Sequence, residues 1–376
     1  MRPVYIETLY SGWNYGSRLQ ALGLARYIEG CGYDVHMMNT FKVPGSFIRH
    51  PTLLAARAYN RLHRKKRFEF FVPSPYEIDS KRQSRLDDFL EENYNEANFT
   101  DSKSWKATLA ENPIFVVGSD ILWQPSRGYP ARHFLDYAVV EGAPCFSYAS
   151  SIGANALPKS YYHAYRKYLG EFQSIGVREE ASVALLEPIV GKPVTKVVDP
   201  TLLYAGEDWD YLAEQAELSK PIEEEGFVLC YFVMDDPRYW EYVASVREAT
   251  GLQMVVLPMH YNDENQPYTI IEDGTPYEFV WLIKNAKFVL TDSFHACCFS
   301  MLYKKDFYLL RRTRADEDVK YNDFLGRYGL KDRVVENPRA FERKLETDYK
   351  ASLAKLELDR IDSRAFIEGN LECLAH

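Results

Sequence analysis

Two successive α/β domains facing one central cleft are the architecture this sequence predicts, and three observations carry it. Short apolar runs that end in polar tips and lead into helices recur along the chain, as a doubly wound parallel sheet requires. At 376 residues the chain exceeds the usual ceiling for one compact core, so two domains are expected. The series is interrupted once, by the acidic, proline-containing stretch Gly206 to Gly226. The expected division is an N-terminal α/β domain at 1–205, a linker at 206–226 and a C-terminal α/β domain at 227–337. A helical segment at 338–376 should pack back across the domain boundary, with Asn337 and Pro338 as its N-cap and first residue.

Val4 to Tyr10 alternates and reads as the first strand. The loop Ser11-Gly12-Trp13-Asn14-Tyr15-Gly16 then opens a helix over Ser17 to Gly30, where Leu19, Leu22, Leu24 and Ile28 keep helical spacing. A glycine-containing turn before a helix presents backbone N–H groups to an anion. Tyr33 to Met38 is the next strand and Leu86 to Tyr94 a surface helix. Ile114 to Val117 reads as a buried strand ending in Gly118-Ser119-Asp120, with Trp123 close behind. Strand Pro144 to Ala149 leads into the small loop Ser150-Ser151-Ile152-Gly153-Ala154. Helix Tyr161 to Leu169 and strand Ser174 to Val177 follow, the latter closed by Arg178-Glu179-Glu180. Strand Val194 to Val198 ends in Asp199-Pro200-Thr201. The second series has strands at Phe227 to Val233, Gln253 to Leu257, Phe288 to Leu290 and Phe307 to Leu310. Helices at Tyr239 to Thr250, Pro276 to Asn285 and Ala296 to Leu302 alternate with them.

Composition narrows the function classes. A net charge of −9 argues against general nucleic-acid binding but leaves room for a local basic site. The six cysteines, at 31, 145, 230, 297, 298 and 373, show neither a CxxC pair nor Cys/His metal spacing, which suits a reducing cytoplasm. Cys297 and Cys298 read as small hydrophobes in an apolar helix. MRPVYIETLY runs directly into a strand without a signal-peptide pattern, and no apolar run approaches a membrane span. A soluble cytoplasmic protein is the expectation. Leu53 to Phe71, strongly basic at Arg61 to Arg67, is read as a solvated helix face, with transient contact at the inner membrane surface as the other reading.

The most informative stretch is Phe288 to Phe307, FVLTDSFHACCFSMLYKKDF. A short buried strand delivers Thr291, Asp292, Ser293 and His295 to a strand-to-helix turn, where open α/β folds bind ligands. Two readings of it stand: helix-capping residues beside a core histidine, or a reactive histidine at the cleft.

Six short motifs occur in an order that resembles the polysaccharide pyruvyl transferase family. They are Asn14-Tyr15-Gly16 with Leu19-Gln20-Ala21; Gly118-Ser119-Asp120 with Trp123; Ser147 to Gly153; Val177-Arg178-Glu179; Asp199 to Leu203; and Thr291 to His295. The likeness runs from Tyr5 to Arg333. It implies two Rossmann-like halves in a GT-B-like arrangement and an active site between them. It also implies transfer of pyruvate from phosphoenolpyruvate to two hydroxyls of a sugar, in a polysaccharide or lipid-linked glycan precursor, as a cyclic ketal. Phosphoenolpyruvate would be a co-substrate, with no cofactor and no metal.

The resemblance and the chemistry together nominate residues. His295 is assigned as general acid/base, since histidine both gives and accepts protons near neutral pH. Asp292 either orients its ring or caps the helix. Asp120 either meets the acceptor hydroxyl or closes its own turn. Arg178 should grip the donor's anionic groups, with Arg311 and Arg312 as a second clamp. Ser293, Asn14, Gly16, Ser119 and Ser151 complete the substrate contacts, and Asp199 reads as structural. Two departures from the family pattern stand out: Ala296 replaces a usual glycine, and Lys320-Tyr321-Asn322-Asp323 stands where relatives often carry Ser-Arg. Two other functions fit the same frame, a nucleotide-sugar glycosyltransferase using Glu317 and a non-catalytic saccharide-binding protein.

Overall fold

The computed structural model describes residues 2–38, 80–97, 99, 102–124, 131–223, 226–311, 319–335, 339–344 and 346–375. Strands β1 (Val4–Glu7), β2 (Val35–Met38), β3 (Glu96–Ala97), β4 (Ile114–Val117), β5 (Cys145–Ser150), β6 (Ile175–Val177) and β7 (Val194–Lys196) form one sheet, in the order β3-β2-β1-β4-β5-β6-β7. Strands β8 (Phe227–Tyr231), β9 (Gln253–Val256), β10 (Thr269–Ile270), β11 (Phe288–Thr291), β12 (Asp306–Leu310) and β13 (Val334–Val335) form the other, in the order β10-β9-β8-β11-β12-β13. Every strand pair is parallel. β1, β4 and β8 are buried along their whole length. A strand covered by helices on both faces is uniformly apolar rather than alternating, which is why these short runs were readable. The expected fold class, two parallel-sheet α/β domains, is what forms.

Boundaries moved where tip residues leave the ladder. β1 stops at Glu7 rather than Tyr10, and the first helix, Tyr15–Gly30, begins two residues early because Asn14 caps it by accepting from Ser17 N at 3.2 Å. The stretch expected as a linker is folded through its first half, with a 3-10 turn at Glu207–Trp209 and a helix at Asp210–Ala213. Trp209 and Leu212 drive this. Both are buried, and the Trp209 ring meets Phe299 edge-on at 5.2 Å. Acidic composition suggested a solvated tether, but two large apolar side chains have to be covered.

The terminal helix Lys350–Ala375 spans both halves. Its Arg360 donates to Leu202 O at 2.6 Å, its Ser363 accepts from Val198 N at 3.0 Å, and Phe366 packs against Phe146 and Tyr148. On the other side Asp359 pairs with Arg327, and Ser352 donates to Tyr328 O at 2.7 Å. The helix Ser80–Asn93 is a second bridge, through Arg85 to Glu278 at 2.7 Å and Arg82 to Pro258 O at 2.8 Å. The largest apolar cluster therefore includes residues of both sheets. Cys297 and Cys298 lie inside it, as small hydrophobes should. Asn337, Pro338 and the basic segment Leu53 to Phe71 lie outside the described residues. Among the described residues no helix is long and apolar enough to cross a membrane.

Candidate active site

In both sheets the strand order reverses between neighbours, at β1/β4 and at β8/β11, and ligands collect above the carboxyl ends at such points. The two ends face each other. The helix after β11 carries His295, and the turn after β6 carries Arg178. At the same level Asp120 has φ 81° and Ala149 φ 53°, a region L-residues rarely adopt.

Arg178 is the centre of a buried ionic network. Its Nη1 donates to Asp199 Oδ2 at 2.8 Å and its Nε to Glu179 Oε1 at 3.3 Å, while Nη2 takes part in neither bond. Asp199 Oδ2 also accepts from Ser119 Oγ at 3.1 Å and stands 3.5 Å from His295 Nε2. The other oxygen, Oδ1, caps the 3-10 turn Pro200–Leu203 by accepting from Thr201 N at 3.0 Å and Thr201 Oγ1 at 2.8 Å. Glu179 accepts from Ser151 Oγ at 2.5 Å and from Ser182 Oγ at 3.1 Å. Burial alone would raise the Asp199 carboxyl, but His295 and Arg178 outweigh it and hold the group well below the usual carboxylate range. Burial would likewise lower Arg178, and Glu179, Asp199 and Asp120 together push it above its ordinary value. Both groups are thus charged. A buried ion pair of this kind is worth little net stability, but breaking one partner is costly.

His295 joins the network from the opposite domain. It is the second residue of the helix Phe294–Leu302, with 8% of its side chain exposed. The N-terminus of the Tyr15–Gly30 helix closes against it: a Cβ built on Gly16 would lie 2.2 Å from His295 Nδ1. No side chain fits between helix and ring, so glycine at position 16 is a packing requirement. One residue on, Ser17 Oγ donates to Asp120 Oδ2 at 2.5 Å, while Asp120 Oδ1 accepts from Ile121 N at 2.6 Å.

A cavity of about 260 Å³ opens beside this network. Arg178, Glu179 and Asp199 line it from the first domain, Phe294, Lys320 and Asp323 from the second, and Asp359 and Ser363 from the terminal helix. Phe294 forms part of its wall. The Arg178 guanidinium lies 4.5 Å from the centre of that ring and the Lys320 ammonium 6.0 Å from it, and Lys320 is also 5.1 Å from the ring of Tyr321. Asp323 fastens the rim across the domains, pairing with Lys196 at 2.8 Å and accepting from Glu180 N at 3.2 Å. His295 is not itself a lining residue; its Nε2 lies 3.5 Å from the lining carboxylate of Asp199.

Several expected roles need correction. The carboxylate set against the His295 ring is that of Asp199, read from sequence as structural. Asp292 instead accepts from Val233 N at 2.6 Å and Met234 N at 3.1 Å, fixing the loop after β8. Ser293 caps its helix toward Ala296 N at 3.4 Å. Ser119 and Ser151 are fully buried and hold Asp199 and Glu179 in place rather than facing the cavity. Asn14 is a helix cap. Arg311 is exposed at the end of β12 and borders a separate crevice with Asn322 and Tyr321; among the described residues Lys320 is a buried cation lining the cavity from that side. Arg312 and Glu317 lie outside the described residues. The Ala296 methyl packs in the core and does not narrow the cavity. Glu179 was legible only as a neighbour of Arg178, and Lys320 only as the residue standing where an arginine was missed. Among the described residues no group of three or more His, Cys, Asp or Glu could hold a metal ion.

Comparison with known proteins adds the family. The profile of the polysaccharide pyruvyl transferase family matches residues 14–313. Among solved structures, one described as a UDP-N-acetylglucosamine 2-epimerase from Listeria monocytogenes superposes with a TM-score of 0.52 at 12% identity, covering 98% of this chain and 91% of that one. The UDP-N-acetylglucosamine 2-epimerase of Rickettsia bellii superposes at 0.50 with 10% identity, covering 100% and 96%. The glycosyltransferase SnogD from Streptomyces nogalater reaches 0.48 at 13% identity, covering 100% and 99%. At these identities the likeness concerns the fold alone. No curated protein sequence is similar enough to count as a relative.

Proposed function

The chain belongs to the polysaccharide pyruvyl transferase family, and on that premise we propose that its interdomain site moves the pyruvyl group of phosphoenolpyruvate onto two hydroxyls of a sugar, forming a ketal. The acceptor is a polysaccharide or lipid-linked glycan precursor at the cytoplasmic side of a membrane. The observation that carries this reading is the cross-domain set Arg178–Asp199–His295 beside a cavity of about 260 Å³.

The chemistry makes definite demands. A proton adds to C3 of the enol, leaving C2 electrophilic. A sugar hydroxyl bonds to C2 and gives up its proton. The C2–O bond to phosphate breaks, and the second hydroxyl closes the ring with loss of its proton, so inorganic phosphate is the only other product. The steps need one group that both gives and takes protons, and His295 is suited to that work. Asp199 would stabilise its imidazolium form, in the way triad carboxylates do. Arg178, turned toward the cavity with Nη2 outside its two carboxylate bonds, supplies a planar donor for an anionic group. Asp120, with both oxygens already accepting, is assigned to shaping the turn beside the acceptor.

Variant His295→Ala tests this. Turnover, followed as phosphate released from phosphoenolpyruvate in the presence of acceptor glycan, should fall by roughly a hundred- to ten-thousandfold, with phosphoenolpyruvate affinity and melting temperature near those of the wild type. A destabilised variant with normal turnover per folded molecule would end the reading of His295 as the proton-transfer group.

A further inference from the structure

We propose that the outward face of the terminal helix Lys350–Ala375 pairs with the same face of a second copy of this chain, antiparallel and about a two-fold axis between Leu358 and Ile361. Among the described residues three large apolar side chains are exposed, and two of them, Leu358 at 65% and Ile361 at 56%, are neighbours on this face. They belong to a stripe: Ala354, Leu358, Ile361 and Ala365, all exposed, follow one another at steps of four, three and four residues. That alternation is the seam spacing of two paired helices, in which such positions fall on one line. The opposite face of the helix is already used, with Leu356, Arg360, Ser363 and Ile367 buried against both domains.

The charges beside the stripe select the occupant and its direction. Lys355 and Asp362 flank it on the side of the interdomain cavity, both exposed and, among the described residues, outside any ion pair of their own chain. With Leu358 of one copy against Ile361 of the other, antiparallel pairing brings Lys355 of each copy to Asp362 of the other, and Ala354 to Ala365. On the far flank Glu357 falls opposite Arg364, although each is already bonded within its own chain, Glu357 to Arg360 and Arg364 to Leu203 O. A parallel pair would instead set Glu357 of one copy beside Asp362 of the other, like charge on like. The antiparallel arrangement is self-complementary, as a two-fold contact demands. An anionic membrane surface fits less well, since Glu357, Asp362 and Glu368 border the stripe. A seam of about four helical turns is a small interface, so the dimer should be weak, with a dissociation constant on the order of micromolar or above. Asp362 lines the interdomain cavity, so pairing sets Lys355 of the other copy at the rim of each site.

The test is sedimentation equilibrium of the full chain over roughly a hundredfold range of concentration spanning the micromolar, in reductant because Cys373 is exposed. The wild type should pass reversibly from monomer to dimer. The double variant Leu358→Gln with Ile361→Gln should stay monomeric across that range and keep the monomer's melting temperature, since both side chains are more than half exposed. Lys355→Glu makes both cross-copy pairs repulsive and should raise the dissociation constant by roughly tenfold. Adding Asp362→Lys to it restores opposite charges and should restore the affinity. A wild type that stays monomeric overturns the proposal, and so does a dimer that survives the glutamine variant. A Lys355→Glu defect that Asp362→Lys leaves unrepaired overturns the antiparallel pairing. Should the glutamine variant fail to fold, the charge reversal and its repair decide alone. A monomeric wild type that binds phosphatidylcholine vesicles, with binding lost in the glutamine variant, would assign the face to lipid and overturn the pairing as well.

Discussion

Replacing Gly16 by alanine would place a methyl carbon 2.2 Å from His295 Nδ1, 2.4 Å from its Cγ and 2.5 Å from its Cβ. Ordinary contact begins at 3.4 Å, so the histidine must retreat by about an ångström. Rotating the ring gives no relief, because Cβ itself is in the way and only movement of the Phe294–Leu302 helix shifts Cβ. Overpacking of this kind costs about 1–3 kcal/mol. Alanine in a helix recovers roughly 0.5–1 kcal/mol of that, so the net loss of stability should be modest. The effect on turnover should be larger, since a displacement of about 1 Å in a reacting group can cost about a hundredfold. Gly30→Ala is the control: it lies in the same helix with nothing within 4 Å of its built Cβ. The measurement is kcat for phosphate release together with melting temperature for both variants. Wild-type turnover and stability in Gly16→Ala would refute the claim that this helix end positions His295.

Other outcomes follow from the same geometry. Asp199→Asn keeps the side chain's shape but leaves Arg178 bonded to a single carboxylate, that of Glu179, and should cost several kcal/mol, about 3–5 at most, measured by urea unfolding at pH 7. Because the folded-state pKa of Asp199 is depressed, its contribution is fully present above its unfolded value of about 3.9 and is lost as pH falls below that. The variant's stability should therefore decline less steeply than the wild type's below about pH 4. Asp136 works in the opposite sense: burial raises its carboxyl to about 6. The penalty is absent below about pH 4, grows as the unfolded chain alone ionises, and is constant above about pH 6. Asp136→Asn should thus stabilise the protein by roughly 2–3 kcal/mol above that range and not below it, which unfolding at pH 3.5 and pH 7 would check. Trp209→Ala should lower stability by about 3–5 kcal/mol, since Trp209 is buried against Phe299; a smaller loss in denaturant unfolding would mean that the connector is not part of the core.

The fold was legible because its strands are short, apolar and followed by polar tips. Ile114 to Val117 before Gly118-Ser119-Asp120 and Phe288 to Thr291 before Asp292-Ser293 declare both the buried strand and the end at which ligands collect. Arg178 and His295 were readable for the same reason, each being a candidate site residue at such a tip. The connector was misread because charge dominates its composition, while Trp209 and Leu212 decide its structure.

What the sequence alone determined is which residues stand at the carboxyl ends of the strands, because local periodicity and turn chemistry act over a few neighbours. What only the tertiary structure decided is which of them meet. Asp199 lies 21 residues from Arg178 and in a different domain from His295, yet one of its oxygens faces both. Asp292, three residues from His295 in the chain, turns instead to the backbone of Val233 and Met234. Lys320 came into view as a cation of the cleft only when the second domain set it against the same ring as Arg178. The physical reason is that hydrogen bonds and ion pairs act over a few ångströms, and distance along the chain says little about those ångströms until the two domains have packed against each other.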